Sequence, residues 1–125
     1  MNTLEENLAL VRKWEETYNH DVERMVYECY AVDCEVTAMD LVTIRGHAEF
    51  APLELKILKT APRRLMKVVN TYPSGEVVTV QAVLYDPDRG ADWQTSFCAI
   101  LTIKNGRIVR DQTYLDRTQW PGLSA

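Results

Sequence analysis

The sequence contains no uninterrupted apolar run near the roughly 18 residues that a membrane-spanning helix needs. Glu5 and Glu6 precede any apolar stretch, so we expect neither a signal peptide nor a membrane anchor. Cysteine is scarce: Cys29, Cys34 and Cys98 are an odd number without C-x-x-C spacing, which argues against a disulfide framework and against a zinc ribbon. We therefore expect a protein of the reducing cytoplasm.

Basic residues are also in the minority. Lys and Arg number 14 against 18 Asp and Glu, which gives a formal net charge of −4. Such a charge repels phosphate backbones, so nucleic-acid binding would require a local basic cluster. The one short cluster, Arg63-Arg64 with Lys67, is small, and we interpret it as the solvated start of a strand. We expect no nucleic acid and no membrane among the partners.

Internal repeats, linkers and low-complexity segments are absent from the sequence as well. The length of 125 residues is typical of one folded domain. Hydrophobic residues make up 46% and charged residues 26%, as in ordinary globular proteins. We therefore predict a single domain over residues 1–125.

Helical periodicity dominates the first part of the chain. Apolar residues from Leu4 predict a helix to about Tyr18, and Asn19-His20-Asp21 can cap a second helix with apolar positions from Val22 to Tyr30. A third helix is predicted over roughly His47 to Thr60. Because proline removes a helix hydrogen bond, Pro52 predicts a kink or a broken first turn there.

Alternating apolar residues predict strands elsewhere. Two short extended pieces are expected between Cys34 and Arg45, around a bend at Met39-Asp40-Leu41. The later strands are predicted at Leu65 to Tyr72, Glu76 to Tyr85, Trp93 to Lys104 and Arg107 to Asp116. Pro73-Ser74-Gly75 and Asn105-Gly106 mark hairpin turns, and a loose tail is expected from Trp120.

This order of elements predicts an α+β fold, in which helices cover one face of a strongly curved antiparallel sheet. The strand from Trp93 to Lys104 carries little charge on either face. A strand without charge usually has both faces covered. We therefore expect the outer face of the sheet to meet a second subunit in a homodimer.

Several degenerate motifs occur together in a characteristic order. They lie in two spans, "VRKWEETYNHDVERMVYECYAVDCEVTAMDLVTIRG" (Val11 to Gly46) and "AILTIKNGRIVRDQTYLDRTQWPGL". Both spans resemble the SnoaL-like polyketide cyclases of the nuclear transport factor 2 superfamily, which also includes ketosteroid isomerases and limonene epoxide hydrolases. The resemblance covers nearly the whole chain. It implies a cone-shaped, cystatin-like shell of three helices and a curved sheet around a deep apolar pocket, often dimeric.

The resemblance fixes no reaction, because one fold hosts many chemistries. Alignment with the ketosteroid isomerases puts their oxyanion-donor position at Ala99 and their first-helix tyrosine position at Trp14. The last-strand Asp position of the epoxide hydrolases falls on Thr113. Steroid isomerisation and epoxide hydrolysis by the known residue sets are therefore disfavoured.

Asp111 and Asp40 are the remaining acid-base candidates. Asp111 shares a strand face with Thr113, and Asp40 shares strand parity with Val36 and Ala38. In an apolar cavity, desolvation would raise their pKa values toward neutral pH. Alternatively, Asp111 pairs with an arginine at a rim and Asp40 only shapes a turn. His47, at the start of the third helix, is a third catalytic candidate, although a solvated histidine is the ordinary alternative.

Large side chains offer apolar surface for a flat ligand, although each could equally be plain core. The candidate ligand-binding residues are Trp14, Tyr18, Tyr30, Phe50, Phe97, Ala99 and Thr113. No spacing suggests a metal site, and we expect no cofactor. The leading hypothesis is a cyclase, isomerase or dehydratase that uses acid-base chemistry on a hydrophobic ring-containing metabolite. The alternative is a noncatalytic module that binds a ligand or a partner protein.

Overall fold

Helices fill much of the first half of the chain and strands fill the second half. The computed structural model describes residues 3–38 and 42–123. The helices are α1 (Leu4–His20), α2 (Val22–Arg24) and α3 (Gly46–Thr60). The strands are β1 (Tyr30–Ala38), β2 (Val42–Arg45), β3 (Leu65–Ser74), β4 (Val77–Tyr85), β5 (Gln94–Lys104) and β6 (Arg107–Leu115). Within these residues, no helix is long and apolar enough to cross a membrane.

The six strands form one mixed sheet in the order β2-β1-β6-β5-β4-β3. All neighbours are antiparallel except β1 and β6, which run parallel. The α+β class is confirmed, and the parallel pair is the one departure from a purely antiparallel sheet. It arises because β2 occupies one edge of β1, so the other edge receives β6 as it returns from the β5 hairpin. Register shifts in β1, β3 and β6 mark bulges, which bend a sheet.

The first helix begins at a capping box. The Thr3 hydroxyl accepts a hydrogen bond from the Glu6 backbone N–H, and the Glu6 carboxylate accepts one from the Thr3 N–H. After α2, residues Met25–Cys29 form a π-helical turn that ends the helical segment. The prediction that this helix includes Tyr30 was wrong, because Tyr30 begins β1 and its hydroxyl bonds to partners across the core.

Helix α3 runs without a break through Pro52, so the predicted break in its first turn was wrong. The proline and the residue four positions earlier, Ala48, are both exposed. Water can therefore satisfy the Ala48 carbonyl that loses its helical partner. The opposite side of the helix buries Phe50, Glu54 and Ile57 against the sheet.

The C-terminal segment packs against the core, so the prediction of a loose tail was wrong. The Trp120 side chain is buried, and its ring meets Phe97 edge-on at 5.0 Å between centroids. Pro121 is fully buried, and Gly122 lies against Ile57 of α3. The apolar area of the Trp120 ring outweighs the polar composition of the turn before it.

Strand β5 shows which face of the sheet the helices cover. Its inward residues Phe97, Ala99, Leu101 and Ile103 are buried. On the outer face, Cys98, Ile100 and Thr102 are half-buried and Ser96 is exposed. The helices and the inner face therefore enclose the core, as the alternation predicts.

Gly46 allows the close approach of α3 to β1, which leads to the first testable prediction. Its φ is +74°, and a Cβ there would lie 2.9 Å from the Val32 carbonyl oxygen. Gly106 has the same φ of +74° in the β5–β6 turn, with no atom within 4 Å of such a Cβ. Gly106→Ala should cost roughly 1–2 kcal/mol for the left-handed backbone alone. Gly46→Ala should cost at least about 1 kcal/mol more, because the carbonyl must also move.

Urea denaturation of both variants and the wild type measures the two losses. Equal losses would mean that the contact with Val32 imposes no constraint on α3.

Candidate functional site

A cavity of about 80 Å³ lies between α1, α3 and the inner face of the sheet. Its wall is mostly apolar, with Trp14, Phe50, Ile57 and Phe97 among the side chains and the buried Trp120 closing one side. Five side chains bring hydroxyl or carboxyl groups to this wall: Tyr18, Tyr30, Glu54, Asp111 and Thr113. An apolar chamber with a few convergent polar groups is typical of a ligand site.

Most of the predicted site residues meet at this cavity. Those that line it are Trp14, Tyr18, Tyr30, Phe50, Phe97, Asp111 and Thr113. Ala99 is fully buried in β5 but does not line the cavity. Asp40, the second predicted acid, lies outside the described residues.

His47 is not among the residues that line the cavity. Its Nε2 atom is 2.8 Å from the backbone carbonyl of Tyr30, and its ring meets the Tyr27 ring edge-on. The imidazole therefore ties the start of α3 to β1. This contact gives His47 a structural role at the entrance of both elements.

Asp111 is a buried carboxylate near the middle of β6. Its backbone neighbours in register are Val36 on β1 and Leu101 on β5. Tyr30 donates its hydroxyl to Oδ2 at 2.6 Å, and Thr113 donates to Oδ1 at 2.6 Å. Burial raises the pKa of Asp111, while the bonds from Thr113 and Tyr30 partly offset this increase. The expectation that Asp111 faces an apolar cavity is thus met, and no arginine pairs with it among the described residues.

Tyr30 has its hydrogen-bonding capacity filled on both sides. The indole N–H of Trp14 donates to the Tyr30 hydroxyl oxygen at 3.0 Å, and that hydroxyl donates onward to Asp111. Burial and the neighbouring Asp111 charge raise the pKa of Tyr30 well above its usual value, so it remains a neutral donor. The three residues form a fixed chain from α1 through β1 to β6.

Glu54 is a cavity residue that our sequence analysis missed. It is 9% exposed, lines the cavity from α3, and its Oε2 atom has no hydrogen-bond partner within the described part of the chain. Burial raises its pKa from 4.5 to about 7; the charge of Asp111 adds to this and that of Arg64 opposes it. The signal was available, since Glu54 lies between Phe50 and Ile57 at helical spacing in an otherwise apolar stripe.

Arg64 is buried beside Tyr18, so the interpretation of Arg63-Arg64 as a solvated strand start was wrong for Arg64. Its guanidinium lies 4.3 Å from the centroid of the Tyr18 ring, and Nη2 donates to the Tyr18 carbonyl at 3.4 Å. Its Nε has no partner among the described residues. Stacking on an aromatic ring compensates in part for burying this charge.

A second testable prediction concerns Glu54 and stability. The folded protein binds the Glu54 proton more tightly than the unfolded chain does. The stability that this provides is present below pH 4.5 and is lost as the pH rises through about 7. The loss amounts to about 3 kcal/mol at most, from 1.36 kcal/mol per pKa unit. Glu54→Gln cannot ionise, so it should remove this part of the pH dependence and be the more stable protein above pH 7.

Urea denaturation at several pH values measures the slope. The control is Glu76→Gln, a change of the same kind at an exposed position, which should keep the wild-type slope. A Glu54→Gln slope equal to that of the wild type would contradict the buried, proton-retaining carboxyl.

Metal binding has no visible basis in residues 3–38 and 42–123, where no group of three or more His, Cys, Asp or Glu side chains could hold an ion.

Comparisons with known structures agree on the fold. One similar structure is a protein assigned to the SnoaL-like polyketide cyclases, from Jannaschia sp. CCS1, with a TM-score of 0.80, 14% identity and 96% coverage of both chains. A protein with a ketosteroid isomerase-like fold from Catenulispora acidiphila, in complex with trimethylamine, has a TM-score of 0.77 and 17% identity, with 92% and 91% of the chains covered. A phenazine biosynthesis-related protein from Pseudomonas aeruginosa has a TM-score of 0.77 and 17% identity, with 92% and 82% covered.

At these identities, the structural similarity establishes the fold alone. No curated protein matches the sequence. The profile of the SnoaL-like domain matches residues 11–111, which is most of the chain. The protein therefore belongs to the SnoaL-like domain family.

Proposed function

We propose that this SnoaL-like protein binds a small hydrophobic compound with a ring and a carbonyl group, and moves a proton on the carbon beside that carbonyl. The supporting observation is Asp111, a buried carboxylate at the wall of an apolar cavity. No metal or organic cofactor takes part in this proposal. A reaction of this kind is a step shared by isomerases, cyclases and dehydratases.

Asp111 is suited to be the base. Each of its oxygens accepts one hydrogen bond and keeps a lone pair, since a carboxylate oxygen can accept two. The bonds from Tyr30 and Thr113 hold the group in one orientation, which reduces the reorganisation that proton transfer requires. Burial makes the carboxylate more basic than it is in water, and this favours taking a proton from carbon.

The volume of the cavity limits the size of the ligand that can bind there. Sites for drug-sized molecules usually enclose roughly 300–1,000 Å³, whereas this cavity has about 80 Å³. One ring is a better match for it than a multi-ring polyketide. The Catenulispora acidiphila neighbour likewise holds a small molecule, trimethylamine, in its complex.

We do not propose the catalytic residue sets of the ketosteroid isomerases or of the limonene epoxide hydrolases for this protein. Ala99 has no side-chain donor, and the Trp14 N–H is already bonded to Tyr30. Thr113 donates to Asp111, so its proton is not available to a ligand oxygen. Steroid isomerisation or epoxide hydrolysis by those sets is therefore not the activity that this cavity supports.

A noncatalytic binding module is the second candidate. One observation favours it: both Asp111 oxygens already hold a hydrogen bond, as they would if the carboxylate only joined β1 to β6. In that case the cavity would still take a small ligand, but no proton would move.

We also place the protein in the cytoplasm, as a homodimer joined through the outer face of the sheet. All three cysteines are free, as a reducing compartment requires. Val69, Tyr72 and Tyr114 are exposed on the outer face, beside a concave groove of about 440 Å³. Exposed apolar side chains clustered at a groove are typical of a protein interface.

The third prediction tests the activity with cyclohexanone in D₂O, where removal of a proton from the carbon beside the carbonyl replaces hydrogen by deuterium. The wild type should accelerate this exchange over buffer, as measured by proton NMR. Asp111→Asn should lose at least about 100-fold of the rate, because amide is a far weaker base. Asp33→Asn, an exposed position on β1, is the matched control and should keep the rate.

Unchanged exchange in Asp111→Asn would contradict the role of Asp111. Bound cyclohexanone without accelerated exchange in the wild type would favour the binding module. The same assay on Asp40→Asn tests the other predicted acid.

The fourth prediction concerns the dimer. Sedimentation equilibrium should give a dimer for the wild type and a monomer for Val69→Glu with Tyr114→Glu, since charge at the centre of an interface is unfavourable. Leu4→Glu changes an exposed apolar residue on α1 and should leave the dimer intact. A monomeric wild type would refute the proposed interface.

A further inference from the structure

Three buried polar atoms without hydrogen-bond partners among the described residues belong to side chains that interact with one another electrostatically, and two of these side chains line the cavity. They are Tyr18 Oη, Glu54 Oε2 and Arg64 Nε. In the part of the chain that the structure describes, the only other such atom is Asn7 Oδ1. Buried polar atoms in proteins nearly always have a partner, so a concentration of three indicates a position for a polar group from outside the chain.

The three residues come from separate elements that converge here. Tyr18 lies near the end of α1, Glu54 lies on the buried face of α3, and Arg64 directly precedes β3. Tyr18 and Glu54 both line the cavity, and the Arg64 guanidinium, which is not among the lining residues, stacks on the Tyr18 ring. All three side chains are buried.

We propose that Tyr18 and Glu54 form a subsite that holds the carbonyl oxygen of the ligand, with Arg64 as the positioning residue behind them. This inference rests on the proposed function and assigns its substrate class, a small ketone that can form an enolate. Tyr18 donates its hydroxyl proton to the oxygen, and Glu54 donates the proton of its neutral carboxylic acid.

A count of donors explains why an oxygen fits this subsite. Three side chains of the cavity wall already donate hydrogen bonds to partners inside the chain: Trp14, Tyr30 and Thr113. Burial and the nearby carboxyl of Glu54 raise the pKa of Tyr18, so that its hydroxyl keeps its proton. Glu54 shares the cavity with Asp111, and two carboxyl groups in an apolar space do not both ionise readily. Among the hydroxyl and carboxyl groups of the cavity wall, the unused donors are therefore Tyr18 and neutral Glu54, while Asp111 is an acceptor.

Together these groups can carry out a complete proton transfer. Asp111 takes the proton from the carbon beside the carbonyl, and the electron pair of the broken C–H bond moves to the carbonyl oxygen. The enolate oxygen accepts hydrogen bonds from Tyr18 and Glu54. Return of the proton from Asp111 to the same carbon restores the ketone. In a β,γ-unsaturated ketone the enolate extends over the double bond, so return of the proton to the γ carbon yields the conjugated isomer. Both routes restore Asp111 to its starting state, so no other reactant is needed.

The subsite should depend on pH through Glu54. The titratable and charged groups around it are Tyr18 from α1, Tyr30 from β1, Arg64 before β3 and Asp111 from β6. As the pH rises through about 7, Glu54 loses its proton and becomes an acceptor. It then repels the carbonyl oxygen instead of binding it.

The fifth prediction is tested with cyclohexanone labelled with carbon-13 at the carbonyl, whose NMR signal moves downfield when donors bond to the oxygen. In the wild type below pH 7 the bound signal should lie downfield of its position in water, and this shift should fade as the pH rises through about 7. Tyr18→Phe and Glu54→Leu should each reduce the shift and weaken binding about tenfold.

Matched variants separate this subsite from a general packing role. Glu54→Gln keeps a donor and cannot ionise, so its downfield shift should persist at all pH values. Arg64→Met should move the midpoint of the wild-type change to higher pH, because the positive charge that favours ionised Glu54 is gone. Glu76→Gln, which is far from the cavity and exposed, should match the wild type.

Two results would overturn the inference. One is a bound ketone whose signal does not change in Tyr18→Phe and Glu54→Leu. The other result is that the ketone does not bind, whether or not the amine probe cyclohexylamine binds. If cyclohexylamine binds more tightly above pH 7, the subsite would be assigned to a cation. Asp111→Asn keeps the downfield shift even if it stops exchange, so failure of the subsite and failure of the catalytic proposal give different patterns.

Discussion

The hydrogen bond from Tyr30 to Asp111 is the interaction on which the site depends. It joins the first residue of β1 to the middle of β6, the parallel pair that distinguishes this sheet, and Trp14 extends it to α1. Because the bond is buried, breaking it would leave the Oδ2 atom of Asp111 without its donor and Thr113 as the remaining donor to the carboxylate, which is costly in an apolar space. The same bond therefore connects the elements of the cavity wall and fixes the orientation of Asp111, the proposed base.

The cavity separates its two carboxyl groups by their surroundings. Asp111 has two donors that support its charged form, whereas the Oε2 atom of Glu54 has no hydrogen-bond partner among the described residues. Burial raises the pKa of both groups; two hydrogen bonds oppose this at Asp111, whereas at Glu54 the charge of Arg64 opposes it and the charge of Asp111 adds to it. A base and an acid can thus exist side by side at neutral pH, a pattern found where one site must both take and give a proton.

Much of this arrangement was predictable from local pattern. Alternation along β5 identified Phe97 as inward, and parity along β6 put Asp111 on the same face as Thr113. Local sequence pattern could not predict the tertiary contacts between residues that are far apart in the chain. Arg64 is charged and next to a strand start, so only the stacked Tyr18 ring, 46 positions earlier in the chain, explains its burial. Glu54 has an acidic side chain, a type that is mostly exposed in proteins, although its position lies within an apolar stripe.

The central claim is that one carboxyl in this cavity is held ready to accept a proton while the other retains its own near neutral pH. Carbon-13 NMR of the side-chain carboxyl groups, followed as a function of pH, tests it most directly. The account predicts that the Glu54 signal titrates at about pH 7 and that Asp111 titrates above the ordinary range for aspartate. If both carboxyl groups titrate as exposed Asp and Glu do, at roughly pH 4, the cavity is wet and the account is contradicted.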